Sequence, residues 1–335
     1  MTEALTQTNR SITNLQGRGS ILVDGATGFL GSHLVASLLS NGADVRCLVH
    51  SGAKKEDIDV LEKLGAKISQ GNLSDDSSQV NDAFRNVKVA VHLIGSIAPR
   101  KGLSHEDLHV GMTRSFIAKA KAAGVESIVM VTALGTREDA PSSYHSTKYL
   151  AEKCLRESGI SSVILRPSLL VGRQIGRRDS KLVQRLLTVI ATKKAIPLVN
   201  GGINKLQPLF IGDMAEAAVA CIDKLTDAQY RDSFSKQEPI ELGGDEVLPM
   251  HDFVGKLMSI VHTQKSIIKL PYPVAMAIAS VAEVLQDVPV LSKDQVKLSM
   301  RDNVCSANKI EELLGRKPTS LNAALAAYSS SAKGG

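Results

Sequence analysis

The feature that most constrains the fold is a regular alternation of short apolar runs with helix-like segments between residues 20 and 166. Alternating strands and helices predict a parallel sheet that is covered by helices on both faces. The runs that we interpret as strands are 21–23, 44–49, 66–69, 88–94, 126–132 and 161–165. We therefore expect an α/β fold with a doubly wound parallel sheet, in which a ligand binds at the carboxyl ends of the strands.

The pattern changes beyond Arg166 and defines a second region of the chain. Residues 1–18 are polar and lack apolar periodicity, so we expect a flexible arm there. We divide the rest into a core over 19–166 and a smaller C-terminal α/β lobe over 167–335, part of which returns to the core. The lobe is expected to be mostly helical, with helices at about 180–192, 213–225 and 249–262 and short strands near 207–211, 238–242 and 266–270.

Length and charge exclude some classes of function. The 335 residues suffice for a large core, and 40 basic against 34 acidic residues give a net charge of only +6. Aromatic residues make up 3% of the chain, and the one local basic cluster is Arg173, Arg177, Arg178 and Lys181. Nucleic-acid binding usually shows a basic stripe or a stacking platform. We therefore expect no nucleic-acid partner, and interpret the cluster as a solvated loop or the edge of a cofactor or partner site.

Cysteine usage and hydropathy indicate a protein that is soluble or peripheral. Cys47, Cys154, Cys221 and Cys305 stand singly, without the paired spacing of zinc ligands or of a disulfide framework. A reducing compartment and no metal site are expected. No segment approaches the roughly 18–20 uninterrupted apolar residues of a membrane span, and the N-terminus lacks an apolar signal core.

The segment from Pro271 to Leu285 is apolar almost all the way round a helix. A fully buried helix is the expected explanation. The alternative is an interfacial helix that rests on a membrane or on a partner subunit.

A glycine-rich loop joins the first expected strand to a helix-like stretch over 29–41. A strand that turns sharply into a helix needs residues without Cβ, so that backbone N–H groups and the helix N-terminus can approach an anion. The loop therefore predicts a phosphate cradle, with the spacing G-x-x-G-x-x-G in place of the standard dinucleotide pattern G-x-G-x-x-G. The residues that we expect to bind a cofactor here are Gly25, Thr27, Gly28, Phe29, Leu30 and Gly31.

The second expected strand ends without a carboxylate. An acidic residue at that place bonds the ribose 2′-hydroxyl of NAD, whereas a cation accommodates the 2′-phosphate of NADP. Arg46, His50 and Lys54 therefore favour NADP(H), with NAD(H) as the alternative. A basic turn that is simply exposed would give the same pattern.

Tyr144 and Lys148 lie four residues apart, which places a phenol and an ammonium on one face of a helix. A nearby cation favours phenolate, so we expect Lys148 to lower the pKa of Tyr144 and allow proton exchange near neutrality. The Tyr-x-x-x-Lys spacing alone is weak evidence for this chemistry. Its position after the fifth strand, on the same side of the sheet as the glycine loop, is what supports it.

These motifs together resemble those of the atypical and extended short-chain dehydrogenase/reductase superfamily. The resemblance rests on the glycine loop, on Tyr144 with Lys148, and on Arg166-Pro167-Ser168. Segments in the second half, from Gln207-Pro208 to Asp213 and in the tail, are similar to one branch of it. That branch contains the NADPH-binding accessory subunit of respiratory complex I, alpha-subcomplex subunit 9, and its bacterial relatives. The similarity covers about residues 19–328.

The resemblance implies a Rossmann-type sheet and assigns roles at the strand ends. The adenine edge would be held at Asn72 and Leu73, after the third strand. Ile94 and Gly95, after the fourth strand, would pass beside the ribose and pyrophosphate.

The resemblance also implies a catalytic set. Tyr144 would donate a proton, Lys148 would assist it and grip the nicotinamide ribose, and Thr132 would orient a substrate carbonyl. Pro167 and Ser168 would border the nicotinamide.

Two residues depart from the pattern of the superfamily. Thr132 replaces the commoner serine, and Asp24 stands where relatives often carry a neutral residue. We expect a carboxylate at Asp24, close to a pyrophosphate, to weaken binding. His92, within an apolar strand, is expected to be a packed core histidine.

The resemblance implies a cofactor-binding accessory role linked to respiratory NADH:quinone oxidoreductase or quinone metabolism. The first alternative is an active NADPH-dependent reductase, dehydrogenase or epimerase that uses Tyr144 and Lys148. The second is an NADPH-sensing regulator. The expected location is the cytoplasm in a bacterium, with peripheral attachment to the inner membrane as an alternative, and the mitochondrial matrix side in a eukaryote.

Overall fold

The computed structural model describes residues 13–95, 103–176, 179–286 and 291–329. The first half alternates strands and helices as the apolar runs predict. Its elements are β1 (Ser20–Asp24), α1 (Phe29–Ser40), β2 (Asp44–Val49), α2 (Lys55–Leu64), β3 (Lys67–Gln70), α3 (Ser78–Phe84), β4 (Val87–His92), a π-helical turn (Asp107–Gly111), α4 (Met112–Ala122), β5 (Ser127–Val131), α5 (Ser143–Arg156) and β6 (Ser161–Pro167).

The second half contains shorter strands between helices. Its elements are β7 (Leu170–Val171), α6 (Lys181–Thr192), β8 (Ala195–Val199), β9 (Lys205–Leu206), β10 (Leu209–Phe210), α7 (Ile211–Thr226), α8 (Ala228–Phe234), β11 (Ile240–Leu242), β12 (Leu248–Pro249), α9 (Met250–Ile260), β13 (Ser266–Leu270), α10 (Tyr272–Leu285), α11 (Lys293–Leu298), α12 (Ile310–Leu314) and α13 (Leu321–Ala326). The strand expected near 207–211 is split at Pro208, which has no N–H to give to a ladder.

The central sheet of the described residues has seven strands in the order β3-β2-β1-β4-β5-β6-β11, and all neighbours are parallel. The order reverses beside β1, where β2 lies on one side and β4 on the other. Val23 is in register with Cys47 of β2 and with Val91 of β4. A Rossmann-type doubly wound sheet is thereby confirmed, and its switch point lies at the end of β1.

Successive residues of each strand pack on opposite faces of the sheet, as strand geometry requires. Val23 of β1 packs with α1, α2 and α7, whereas its neighbour Leu22 packs with α3, α4 and α5. The strands are buried on both faces, and their sequences are therefore continuous apolar runs.

The C-terminal half is joined to the core at several places. β11 forms the edge of the central sheet next to β6, and α7 packs against α1. A separate cluster of apolar side chains, from α6, α9, α13 and strands β7, β8, β9 and β12, forms the rest of the lobe.

Part of the segment expected to be a flexible arm, residues 1–18, contacts the core. Residues 1–12 lie outside the described residues, but Leu15 is buried and its N–H donates to the Asn41 carbonyl at 2.9 Å. The final residues of the expected arm therefore pack against the end of α1.

Motif residues of the second half tie the tail to the core. The Gln207 side chain donates to the Gly244 carbonyl and accepts from the Cys305 N–H, at 2.9 and 3.0 Å. The buried Asp213 carboxylate accepts from the Thr319 N–H and from the Arg316 guanidinium. These contacts are a structural reason for the residue types at those positions.

The helix α10 is not fully buried, contrary to the expectation for 271–285. Only Ala275 and Ala279 are buried, and the large side chains on the opposite side are exposed. Within the described ranges, no helix combines the length and the apolar character needed to cross a membrane.

Candidate functional site

The glycine loop turns the chain from β1 into α1, and each glycine meets a different steric demand. Gly25 has φ +64°, in the left-handed region that favours glycine. A Cβ on Gly28 would lie 3.0 Å from the Gly25 carbonyl oxygen. A Cβ on Gly31 would overlap that oxygen and lie 2.7 Å from Ala26 Cα. The loop therefore folds back onto the first turn of α1 because these three positions lack side chains.

The N-terminus of α1 is free of side-chain caps. Gly28 is the N-cap residue with an extended backbone, no side chain caps it, and the first turn carries no acidic residue. The first N–H groups of a helix need partners and carry a partial positive charge. Thr27, Phe29 and Leu30 are half-buried at this point. The arrangement matches an anion site of the kind that binds a dinucleotide pyrophosphate.

Asp24 is turned away from this N-terminus toward β4. Its carboxylate lies 2.5 Å from His92 Nδ1 and accepts the Leu93 N–H at 2.7 Å. His92 Nε2 lies 2.9 Å from the Thr113 hydroxyl, and the imidazole packs on the Phe116 ring. The expected conflict between Asp24 and a pyrophosphate does not follow, because buried partners compensate the carboxylate. The expectation of a packed His92 is confirmed.

Lys148 of α5 reaches across to the exit of β4. Its ammonium donates to the Ile94 carbonyl at 2.9 Å, and the side chain is buried. A Cβ on Gly95 would lie 2.5 Å from Lys148 Nζ, so a side chain at this position would displace the end of the lysine. The structure therefore brings together three of the expected site residues, Ile94, Gly95 and Lys148.

Burial lowers the pKa of Lys148 to about 8, and the negative charges of Asp24 and Glu152 oppose that shift. Moving a cation out of water lowers its pKa, because the charged form loses hydration. Asp24 therefore helps to keep Lys148 charged near neutrality. One consequence of a carboxylate at Asp24 is therefore a higher pKa of Lys148 than burial alone would give.

The pKa of Tyr144 moves in the opposite direction to the one expected. Burial raises the pKa of Tyr144 to about 12. The prediction that Lys148 lowers it is wrong in this structure, because the Lys148 ammonium is directed to the Ile94 carbonyl. The Tyr144 phenol therefore keeps its proton at neutral pH and is a weaker acid than an exposed tyrosine.

Histidine rings surround Tyr144, and the sequence analysis missed them. The rings of His109 and His145 have their centres 5.4 and 5.1 Å from that of the phenol, and His105 stacks on His109. Burial, followed by the charge of Arg137, lowers the pKa of His145 to about 4. The only signal in the sequence was the recurrence of histidine at 105 and 109, four residues apart.

Asp294 fixes the start of α5 from the tail of the chain. Its carboxylate accepts from the Ser143 hydroxyl at 2.5 Å and from the Tyr144 N–H at 3.1 Å. Ser292 and Gln295 form a capping box at the start of α11 that holds this segment. The S-x-x-Q spacing was readable in the sequence, but its contact with Tyr144 was not.

Thr132 directly follows β5, but its hydroxyl has a buried partner. It donates to Glu152 Oε1 at 2.7 Å. The same carboxylate accepts from Arg166 Nε at 2.9 Å and from Nη2 at 2.5 Å, and Glu152 is fully buried. Thr132 and Arg166 are therefore members of one buried ionic cluster in this structure, and Glu152 is a residue that the sequence analysis did not identify.

The structure corrects the role expected of Arg46. Its Nη1 donates to the carbonyls of Asp82, Ala83 and Arg85, at 2.8, 2.7 and 3.1 Å. These are carbonyls at the C-terminal end of α3, so Arg46 caps that helix. It lies in the middle of β2, several residues before the carboxyl end of the strand.

His50 and Asn72 are at the strand ends, as expected. His50 is exposed after β2, and its Nδ1 accepts the Gly52 N–H at 2.9 Å. Asn72 Oδ1 accepts from the Ser51 hydroxyl at 2.8 Å, so the loops after β2 and β3 are joined. The neighbouring Leu73 is buried.

Pro167 is the last residue of β6, and Ser168 directly follows it toward the C-terminal lobe. Pro167 pairs with Leu242 of β11, and the Ser168 hydroxyl donates to the Gln207 carbonyl at 2.5 Å. Ser168 therefore links the core to the lobe. In the part of the chain that the structure describes, no group of three or more His, Cys, Asp and Glu side chains could hold a metal ion.

Comparison with known families agrees with this geometry. The family model described as NAD(P)H-binding matches residues 25–191, which include the glycine loop and Lys148. The chain therefore carries an NAD(P)H-binding domain of Rossmann type, of the class found in short-chain dehydrogenases and reductases. Cofactor binding and the resemblance to this superfamily are confirmed.

The chain is also similar to curated proteins over most of its length. It is 25% identical over 311 residues to the mitochondrial NADH dehydrogenase [ubiquinone] 1 alpha subcomplex subunit 9 of Arabidopsis thaliana, covering 88% of this chain and 74% of the relative. It is 24% identical to the mitochondrial 40 kDa subunit of NADH-ubiquinone oxidoreductase of Neurospora crassa, over 90% of this chain and 77% of the relative. A sterol-4-alpha-carboxylate 3-dehydrogenase of Candida albicans is 23% identical over 89% of this chain and 93% of the relative.

Solved structures share the fold. An NADPH-dependent quinone oxidoreductase from Escherichia coli, complexed with NADPH, superposes with a TM-score of 0.69 at 21% identity, covering 93% of this chain and 99% of that one. A UDP-glucuronic acid 4-epimerase from Bacillus cereus, in complex with NAD, gives 0.68 at 19% identity, over 94% and 99%.

Proposed function

We propose that the protein holds NADPH chiefly as a structural cofactor, in an accessory role linked to respiratory NADH:quinone oxidoreductase or quinone metabolism. The observation that carries this proposal is the state of the expected catalytic set. The pKa of Tyr144 is raised to about 12, and the Thr132 hydroxyl is bound by Glu152. The site is therefore better prepared to bind than to exchange protons.

The described residues fit a dinucleotide. The uncapped N-terminus of α1 and the close approach at Gly28 and Gly31 suit a pyrophosphate. Lys148, beside Gly95, supplies a cation that can donate to ribose hydroxyls. A nicotinamide cofactor supplies hydride chemistry when it is bound, whereas the chain's own residues here bind, orient and hold protons.

The preference for NADPH rests on the end of β2. That end carries no carboxylate to bond a ribose 2′-hydroxyl, and exposed His50 and Lys54 follow it. Arg46 no longer contributes to this argument, because its guanidinium caps α3. NAD(H) is the alternative cofactor.

The accessory role is proposed from relatives. The relatives from Arabidopsis thaliana and Neurospora crassa are named as mitochondrial subunits of NADH dehydrogenase and NADH-ubiquinone oxidoreductase, and each match spans most of both chains. By the same argument, the proposed location is the matrix face of the inner membrane in a eukaryote, or its cytoplasmic face in a bacterium. Native mass spectrometry of the freshly purified protein tests both parts, since it detects a retained nucleotide and co-purifying subunits together. A chain that carries neither would contradict the proposal.

Replacing Tyr144 by phenylalanine is expected to weaken NADPH affinity by no more than about tenfold, since one neutral hydrogen bond contributes about 0.5–1.5 kcal/mol. Isothermal titration of both proteins measures the change. Native protein that oxidises NADPH rapidly with a carbonyl or quinone compound, with loss of that turnover in Tyr144→Phe, would instead support an active reductase. The alignment of Tyr144 and Lys148 on one face of α5 is the observation that favours this second candidate.

A pH dependence of NADPH binding is expected from Lys148. Because the pKa of Lys148 is lowered to about 8, the ammonium is lost as pH rises through that value, and its attraction for the anionic cofactor is lost with it. The affinity for NADPH should therefore fall between about pH 7.5 and 9.5, a range in which ordinary carboxylates and histidines do not titrate. The same titration on Lys148→Met should be weaker and flat across this range.

The stability of the protein without cofactor should show the opposite trend. A lysine whose pKa is lowered in the folded state disfavours folding below that pKa, and the penalty disappears as pH rises from about 8 toward 10.5. The difference in melting temperature between wild type and Lys148→Met should therefore change with pH over this window. A difference that stays constant would show that Lys148 keeps its ordinary pKa.

A further inference from the structure

One face of α10 exposes a row of large aliphatic side chains. The exposed apolar face consists of Val274, Ile278, Val281, Val284 and Leu285, whose exposed fractions are 46, 49, 58, 75 and 76%. Their spacing places them along one side of the helix. Soluble domains seldom leave a contiguous apolar patch of this kind uncovered unless it binds something.

The other side of α10 is already packed. Ala275 and Ala279 are buried against Val296 of α11. Glu283 is the only charged residue of the helix, and it pairs with Lys293 at 3.4 Å. The exposed apolar face therefore presents no charge that would oppose contact with an apolar environment.

Cations and a tyrosine lie at the start of α10. Tyr272, Lys297, Met300 and Arg301 line a shallow depression together with Pro141. Tyr272 is 37% exposed and Met300 is 41% exposed. Aromatic and basic side chains at the edge of an aliphatic surface are typical of the boundary between lipid headgroups and acyl chains.

The strand pair that precedes α10 adds to this charge. Exposed Lys269 lies three residues before Tyr272, in β13, which pairs in parallel with β8. The segment 195–204, which contains β8, carries no carboxylate. It also exposes Ile203, at 63%. Lys269 therefore adds a positive charge just before α10, and the paired strand adds no negative charge.

We propose that α10 rests on an anionic phospholipid surface, with its exposed apolar face among the first acyl carbons and the neighbouring cations at the phosphates. Charge complementarity is the reason for choosing lipid over a second copy of the chain, because two copies facing each other would bring like charges together. The inference deepens the proposed peripheral association with a membrane-bound complex. Its test uses vesicles without other proteins, and so its outcome is separate from nucleotide binding.

Flotation of the full-length protein with phospholipid vesicles tests the proposal. We expect binding to phosphatidylcholine vesicles that contain about one third phosphatidylglycerol, weakening with added salt, and far less binding to phosphatidylcholine alone. The double variant Ile278→Asp/Val281→Asp should lose about tenfold or more in vesicle affinity. Val247→Asp, at a valine that is 47% exposed elsewhere in the lobe, is the matched control and should bind as wild type does.

Charge reversal separates the role of the cations. Lys269→Glu should weaken binding to the anionic vesicles severalfold, whereas Lys236→Glu, at an exposed lysine near α8, should not. NADPH titration of every variant shows that the nucleotide site is unchanged.

Two results would overturn the inference. One is vesicle binding that persists in Ile278→Asp/Val281→Asp. The other is the absence of vesicle binding in a protein that sediments as a dimer, with the dimer dissociated by the same double variant. In that case a second copy covers α10.

Discussion

Replacing Glu152 by alanine is expected to destabilise the native state by about 2–4 kcal/mol, because it leaves the largely buried Arg166 guanidinium without its counter-charge. The carboxylate is fully buried and receives two hydrogen bonds from Arg166, at 2.9 and 2.5 Å, one from Thr132, at 2.7 Å, and one from Arg156, at 3.3 Å. The Arg166 side chain is only 17% exposed. Urea unfolding of both proteins measures the difference in the free energy of unfolding.

The matched control is Glu157→Ala, at the end of the same helix. The Glu157 side chain is 65% exposed and lies 3.9 Å from Lys153. Exposed pairs of this kind contribute about 0–1 kcal/mol. Equal effects of the two substitutions would mean that the cluster of Thr132, Glu152 and Arg166 is not held as the structure shows it.

This cluster bears on function as well as on stability. Glu152 joins α5, which carries Tyr144 and Lys148, to the ends of β5 and β6. The position of the Lys148 ammonium therefore depends on a buried ion pair one helical turn away. A site held in this way favours a fixed geometry for a bound cofactor.

The strands and the glycine loop could be predicted from the sequence for a simple reason. Parallel strands that are buried on both faces must be apolar throughout, so runs such as 44–49 and 88–94 mark them directly. The loop at Gly25, Gly28 and Gly31 could be predicted because backbone approach excludes a Cβ, and only glycine meets that demand. Both inferences need local information alone.

The partners of polar side chains could not be predicted in the same way. Arg46 and Thr132 occupy the expected places in the chain, but Arg46 bonds carbonyls of α3 and Thr132 bonds a glutamate twenty residues away. Asp24 and His92 are 68 positions apart in the sequence and meet only because β4 lies beside β1. A side chain's partner depends on strand order, which an isolated motif does not specify.

The burial of α10 could not be predicted from its sequence either. Its sequence is apolar on nearly every side, so periodicity gives no direction to the core. The number of elements that pack on it decides how much is covered, and only the small residues Ala275 and Ala279 are buried.

Substituting Gly31 by valine is expected to destabilise the protein by at least about 1–3 kcal/mol and to weaken NADPH binding about tenfold or more. The new Cβ would overlap the Gly25 carbonyl oxygen and lie 2.7 Å from Ala26 Cα. Both are backbone atoms, so relief requires α1 to move away from the loop. That movement separates the helix N-terminus from an anion, and one hydrogen bond to a charged group contributes about 1.5–3 kcal/mol.

Gly255→Ala in α9 is the control for the effect of a side chain on a helical glycine. A Cβ there meets no atom within 4 Å. We expect it to be neutral or to stabilise the protein by up to about 1 kcal/mol, since alanine favours helix more than glycine does. Thermal unfolding with and without NADPH measures both variants. If Gly31→Val kept wild-type stability and affinity, the close approach of α1 to the loop would not be what forms the pyrophosphate site, since the helix could then accept a side chain at its first turn and still bind the anion.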